Sequence, residues 1–376
     1  MEKLELKKIC GEPKEEYVTV TLPKSRYDAL FCMENHPILG YVERDETAMG
    51  RANYNKELYP LPDVYKRRTD VPKGKITGHL MEDSKFYPGV KHKYWIYTPA
   101  GYNDDMLCDL ILFLDGEMYF TSTIKDLHAT QPHGRIIMSD MLEQMPVLDE
   151  IELPDTGDNV TDMLDNMIAE GTIPPTIAVF ITPGYPGPGE PVYGTAKGIT
   201  NRSVEYDTVS DWFARFIKEE FLPIALEGLN VTKDPKGHST VGISSSGIAG
   251  FNVAWYDNDI FNNPIVASPS FGNIRNGNIW PSIIRTSQEK KDLKACLCVG
   301  RYDADIIFGD WILADKDVAS ALNYKGYDFR LVVTQMGHSL IYLKYMLPQA
   351  LEWIYHGKEL CGDNVEIIKP YPLEML

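Results

Sequence analysis

STVGISSSGIAGFNVAW, residues 239–255, decides how the chain is read. Its first residues suit a short strand. It then passes through Gly242, Ile243, Ser244, Ser245, Ser246 and Gly247 into an apolar run that reads as a buried helix. Strand, tight turn and helix form the context in which a serine is lifted clear of a sheet, and small residues are needed two positions either side, where the two backbones crowd. Ser244 has Gly242 before it and Ser246 after it, which makes Ser244 the candidate nucleophile. Ser245 and Ser246 lack small residues on both sides at that distance.

A serine hydroxyl is a weak nucleophile near neutral pH and needs a base within reach, with a third group to orient that base. Two later segments supply both. The apolar run LKACLCVG (293–300) is followed by Asp303 and Asp305, and DFRLVVT (328–334) is followed by Gly337, His338 and Ser339. The order nucleophile, acid, base, each a few residues beyond a predicted strand, makes His338 the general base and Asp303 its partner. Asp303 is preferred because it lies nearer the strand end, with Asp305 a competitor. For the oxyanion, the backbone N–H of Ser245 is one donor and that of Glu117, after the buried strand ending LILFLDG, is the other.

Other residues are candidates for substrate contact. Arg202 and Glu205 form an ion-pair network or recognise a polar group. Trp311 and Tyr119 stack on a ring or pack in the core or at the rim. The remaining histidines, His36, His79, His92, His128, His133, His238 and His356, have no partners by spacing and read as surface or structural.

Runs 109–114 and 176–182 are continuously apolar, as expected of strands buried on both faces of a parallel sheet. Residues 93–98 and 78–85 read as antiparallel strands, 160–169 as a helix, and 312–325 and 340–356 as the helices after the last two parallel strands. Residues 201–207 precede an amphipathic helix carrying Trp212, Phe213, Phe216 and Ile217. The acidic, proline-broken segment 143–158 reads as a loop. The fold class is therefore α/β, a mostly parallel central sheet with helices on both faces. Residues 1–71 form an N-terminal extension packed on the main domain, 72–376.

These residues together resemble the putative-esterase branch of the α/β-hydrolases, which includes enterochelin esterases, feruloyl esterases, esterase D and the mycolyltransferases. The resemblance is carried by Leu114-Asp115-Gly116, residues 201–207 (NRSVEYD), residues 242–247 (GISSSG), residues 308–311 (FGDW) and Gly337-His338-Ser339, and extends over roughly residues 72–357. It implies an α/β-hydrolase fold and a serine hydrolase that cleaves a carboxylic ester through an acyl-enzyme, without metal or cofactor. The family usually has Gly where Ser246 stands, and it varies the identity and place of its acid. An acyltransferase would use the same triad, and a catalytically inactive binding protein could occupy the same fold.

The net charge of −17 disfavours nucleic acid and anionic membrane surfaces as partners. No run of about 18 apolar residues is present, and the first residues lack a signal-peptide core, so a cytoplasmic protein acting on a small-molecule ester is expected, with a homo-oligomer left open. Six cysteines show neither CxxC spacing nor zinc-like pairing with histidine and read as reduced, buried thiols.

Overall fold

The computed structural model describes residues 2–5, 19–22, 58–120, 159–187, 196–306 and 308–372. Strands β1 (Glu2–Glu5) and β2 (Thr19–Leu22) pair antiparallel. The main sheet uses β3 (Lys75–Met81), β4 (His92–Thr98), β5 (Asp109–Leu114), β6 (Thr176–Ile181), β7 (His238–Ile243), β8 (Asn263–Ala267) and β9 (Lys294–Gly300). A small ladder, β10 (Asp305–Ile306) with β11 (Gly309–Asp310), precedes β12 (Asp328–Thr334) and β13 (Val365–Ile368). The nine-stranded order is β13-β12-β9-β8-β7-β5-β6-β4-β3. The six strands from β12 to β6 run parallel, and β13, β4 and β3 are antiparallel additions at the edges.

The helices are α1 (Val160–Ala169), α2 (Ala196–Tyr206), α3 (Trp212–Phe216), α4 (Leu222–Ala225), α5 (Ser245–Tyr256), α6 (Trp280–Thr286), α7 (Trp311–Tyr324) and α8 (Leu340–His356). Side chains alternate across a strand, so a strand covered on both faces must be apolar throughout. In β5, Leu110, Leu112 and Leu114 enter the layer under α3, α5 and α7, while Ile111 and Phe113 enter the layer under α1 and α8. Enclosing each such side chain contributes about 1.5–3 kcal/mol. Among the described residues no helix is long and apolar enough to cross a membrane.

The α/β reading holds, with local differences. The strand expected over 78–85 runs from Lys75 to Met81. Beyond it, the Glu220 carboxylate accepts from Ser84 Oγ (2.9 Å), Lys85 N (2.7 Å) and Phe86 N (3.2 Å), and these bonds draw the chain off the sheet. Residues 201–206 do not merely precede a helix; they are the end of α2. The amphipathic helix after them is split into α3 and α4 by a π-turn, Ile217–Phe221. Pro223 stands in the first turn of α4, where its ring has no N–H to donate and crowds the carbonyl four residues back. The acidic segment 143–158 and most of residues 1–57 lie outside the described residues. Of the first 71, Tyr59, Tyr65 and Val71 are buried, and the Tyr59 hydroxyl donates to Asn364 O (2.7 Å) and accepts from Gln335 N (2.6 Å).

Candidate active site

Strands β5, β7, β9 and β12 end at the same edge of the sheet. Ile243 is in register with Ala267, Ala267 with Cys298, and Gly300 with Thr334. Asp115 follows β5 directly, Ser244 follows β7, Asp303 lies three residues past β9 and His338 four past β12.

Ser244 is half-buried and has φ 60°, ψ −122°, a left-handed conformation costing a non-glycine residue on the order of 1–3 kcal/mol. Its amide donates to Ala267 O (2.9 Å), and its carbonyl accepts from Ser270 N (3.0 Å). A Cβ on Gly242 would collide with the carbonyl of Ser246, so the crowding foreseen two residues before Ser244 is real. Ser246 is wholly buried and bonds back across the turn. Its Oγ donates to Ile243 O (2.7 Å) and accepts from Ile243 N (2.9 Å), satisfying the last backbone groups of the strand where it gives way to helix.

His338 Nδ1 lies 2.7 Å from Asp303 Oδ1. Asp303 is buried, and its other contacts come from four residues. Oδ2 accepts from Gly300 N (3.0 Å), Tyr342 OH (3.0 Å) and Ser268 Oγ, while Oδ1 also accepts from Ala304 N (2.7 Å). Burial by itself would raise this carboxyl's pKa. The charge and hydrogen bond of His338, then the bonds from Ser268 and the Ala304 amide, outweigh burial and hold it below the ordinary carboxylate range. Asp305, by contrast, is exposed and opens β10.

The two loops are tied by backbone bonds, Arg301 N to Thr334 O (2.8 Å) and Tyr302 N to Met336 O (2.9 Å). The turn 267–270 links this acid–imidazole pair to the elbow, since it bonds Ser244 through backbone and Asp303 through Ser268. Among the described residues no hydrogen bond joins Ser244 Oγ to His338. Such bonds are often long before substrate binds. Ser268 and Tyr342 were not foreseen. A serine in a run of small residues and a tyrosine in a helix's first turn carry no spacing signal.

On the β5 side, Asp115 has φ 58° and is clamped by Arg202, Nε to Oδ1 (2.9 Å) and Nη2 to Oδ2 (2.6 Å). Gly116 lies so close to the backbone of Phe180 that a Cβ would stand 2.6 Å from its carbonyl carbon. These contacts fix the turn Gly116–Tyr119, which carries the Glu117 amide. Ser245 is the first residue of α5, and the opening N–H groups of a helix have no partner inside it.

The tentative substrate contacts fall in other surroundings. Glu205 is buried, accepting from Gly184 N (2.9 Å), Asn201 Nδ2 (2.7 Å) and His92 Nε2 (3.2 Å). Tyr119 is enclosed beside Phe113 and Phe180. Trp311 is buried with its indole N–H on Ser268 O (3.1 Å), its ring edge-on to His338 at 6.3 Å between centroids. Among the described residues no cluster of His, Cys, Asp and Glu could hold a metal ion.

Residues 153–308 match the family described as "Putative esterase", a segment that includes Ser244 and Asp303 and stops short of His338. The comparison with curated proteins gives no match. Among solved structures, ferric enterobactin esterase from Salmonella typhimurium is similar at 14% identity and TM-score 0.56, over 79% of this chain and 62% of that one. The Shigella flexneri enterobactin esterase FES with 2,3-di-hydroxy-N-benzoyl-glycine is similar at 13% identity and TM-score 0.53, over 77% and 62%. A ferulic acid esterase is similar at 15% identity and TM-score 0.51, over 75% and 98%. The chain thus spans about three fifths of the enterobactin esterases' length. It has the α/β-hydrolase fold, and residues 153–308 match the model of the putative esterase family.

Proposed function

We propose that this protein is a serine esterase that cleaves a carboxylic ester through an acyl-enzyme, with Ser244, His338 and Asp303 as its triad. The observation that carries the reading is the Asp303–His338 pair, 2.7 Å long and buried, tied through the turn 267–270 to a serine held in left-handed backbone at the end of a parallel strand. His338 Nε2 takes the proton from Ser244 Oγ as that oxygen attacks the ester carbonyl carbon. Asp303 accepts from Nδ1–H and so fixes the tautomer that leaves Nε2 free to act as base. The oxyanion of the tetrahedral intermediate is held by the N–H groups of Ser245 and Glu117, each donor supplying about 3–4 kcal/mol. His338 then protonates the leaving alcohol, and water repeats the cycle on the acyl-enzyme.

The substrate is a small-molecule ester. The structural neighbours' names point to enterobactin and to ferulic acid esters, and these head the panel to be tested. The free thiols of Cys108, Cys296, Cys298 and Cys361 suit a reducing, cytoplasmic setting. The test is the rate of ester hydrolysis, across phenolic, siderophore, sugar and short acyl esters, by wild type and Ser244→Ala. The variant should lose at least about a thousandfold in kcat at unchanged thermal stability. Equal turnover by the two proteins would refute the assignment.

A further inference from the structure

Three acids near the candidate site are buried, Glu117, Asp207 and Asp315, and in Glu117 and Asp315 neither carboxyl oxygen has a hydrogen-bond partner on another residue. Glu117 differs from the others in belonging to the very turn whose amide is proposed to hold the oxyanion. That turn cannot readily shift. Asp115 is clamped by Arg202, Gly116 presses on β6, and Tyr119 is wedged against Phe113. Glu117, 7% exposed, is therefore kept inside a fixed turn, with no hydrogen bond from another residue to either carboxyl oxygen.

The groups that face it are Asp115 and Tyr119 on its own turn, Arg202 and Tyr206 on α2, and Lys93 on β4. Burial first, then the Asp115 charge, pushes the carboxyl up to about 8. Its own backbone amide, Arg202 and Lys93 act in the other direction without offsetting this. A donor within influence of the ionised carboxylate is thus the same N–H that the oxyanion would use.

Resting on the esterase reading, we propose that Glu117 is a positioning residue whose carboxyl, while it carries its proton, leaves its own amide available to the oxyanion. When the proton is lost, the carboxylate competes for that N–H and sets a negative charge beside a developing one. A general base acting alone gives an acid limb and then a plateau. Glu117 adds an alkaline limb.

The experiment compares kcat/KM for p-nitrophenyl acetate in wild type and Glu117→Gln from about pH 6 to about pH 10, each profile normalised to its own maximum. Wild type should fall about tenfold per pH unit above its limb near pH 8, and the Gln variant should stay level. A wild-type plateau without a limb, or the same limb in the Gln variant, would overturn the proposal while leaving the esterase reading intact. Failure of that reading looks different: wild type turns over no ester at any pH and Ser244 takes no label, which overturns both.

Thermal unfolding gives a readout independent of turnover. A carboxyl whose folded pKa exceeds its unfolded value costs stability as pH rises from the ordinary glutamate value, about 4.3, to the folded one. The Tm of Glu117→Gln should therefore gain on that of wild type across this window and keep a constant lead above it. A gap independent of pH would contradict the buried proton.

Discussion

Ser246 shows how one hydroxyl can replace a glycine at a crowded turn. Its two bonds to Ile243 satisfy a buried N–H and a buried C=O at the point where the β7 ladder stops. Ser246→Ala would leave both unpaired, at a cost of about 1–3 kcal/mol, and its Tm should fall by several degrees with no change in which serine reacts. An unchanged Tm would mean that the turn finds other partners. At Asp303 the effect is chiefly on rate. Asp303→Asn keeps the shape but favours the wrong imidazole tautomer, and kcat should drop by about 10⁴. Because the folded pKa of Asp303 is depressed, its ionised form stabilises the fold above the unfolded value, about 3.9, and that contribution is lost as pH falls through the folded value. The stability lead of wild type over Asp303→Asn should accordingly shrink in acid; a constant lead would argue against an ionised Asp303.

At the scale of elements, the sequence was most legible where burial is two-sided. β5 and β12 cover the stretches 109–114 and 328–334 read from the sequence, because a strand covered on both faces must be apolar along most of its length. The elbow was legible for a steric reason. Gly242 has the carbonyl of Ser246 where its Cβ would be, so Gly242→Ala should displace the turn, cost about 1–3 kcal/mol and lower kcat more than KM is raised. A fully active Gly242→Ala variant would show that the turn yields. What could not be read depends on distant partners. The end of β3 is decided by Glu220, well over a hundred residues away, and the helical state of residues 201–206 accompanies contacts of Arg202 and Glu205 with Asp115, Gly184 and His92. The bonds of Ser268 and Tyr342 to Asp303 are of the same kind, since only the folded sheet brings those loops together.

Across the whole molecule, the strand order puts β7 three positions from β12, so Ser244 and His338 are joined through the loops after β8 and β9 rather than by neighbouring strands. The His338 loop is also anchored from outside the sheet, by the Tyr59 hydroxyl on Gln335 N and Asn364 O. Tyr59→Phe should cost about 1–3 kcal/mol for the groups left unpaired, with a smaller loss of kcat than any triad substitution; a loss as large as that of Asp303→Asn would place Tyr59 in the chemistry itself. The central claim is that Ser244 is the nucleophile of this arrangement, and the most direct measurement is fluorophosphonate labelling followed by mass mapping of the modified peptide. The account predicts one adduct, on Ser244, lost in Ser244→Ala and slowed in His338→Ala. An adduct on Ser245 or Ser246, or none on a folded wild-type protein, would contradict it.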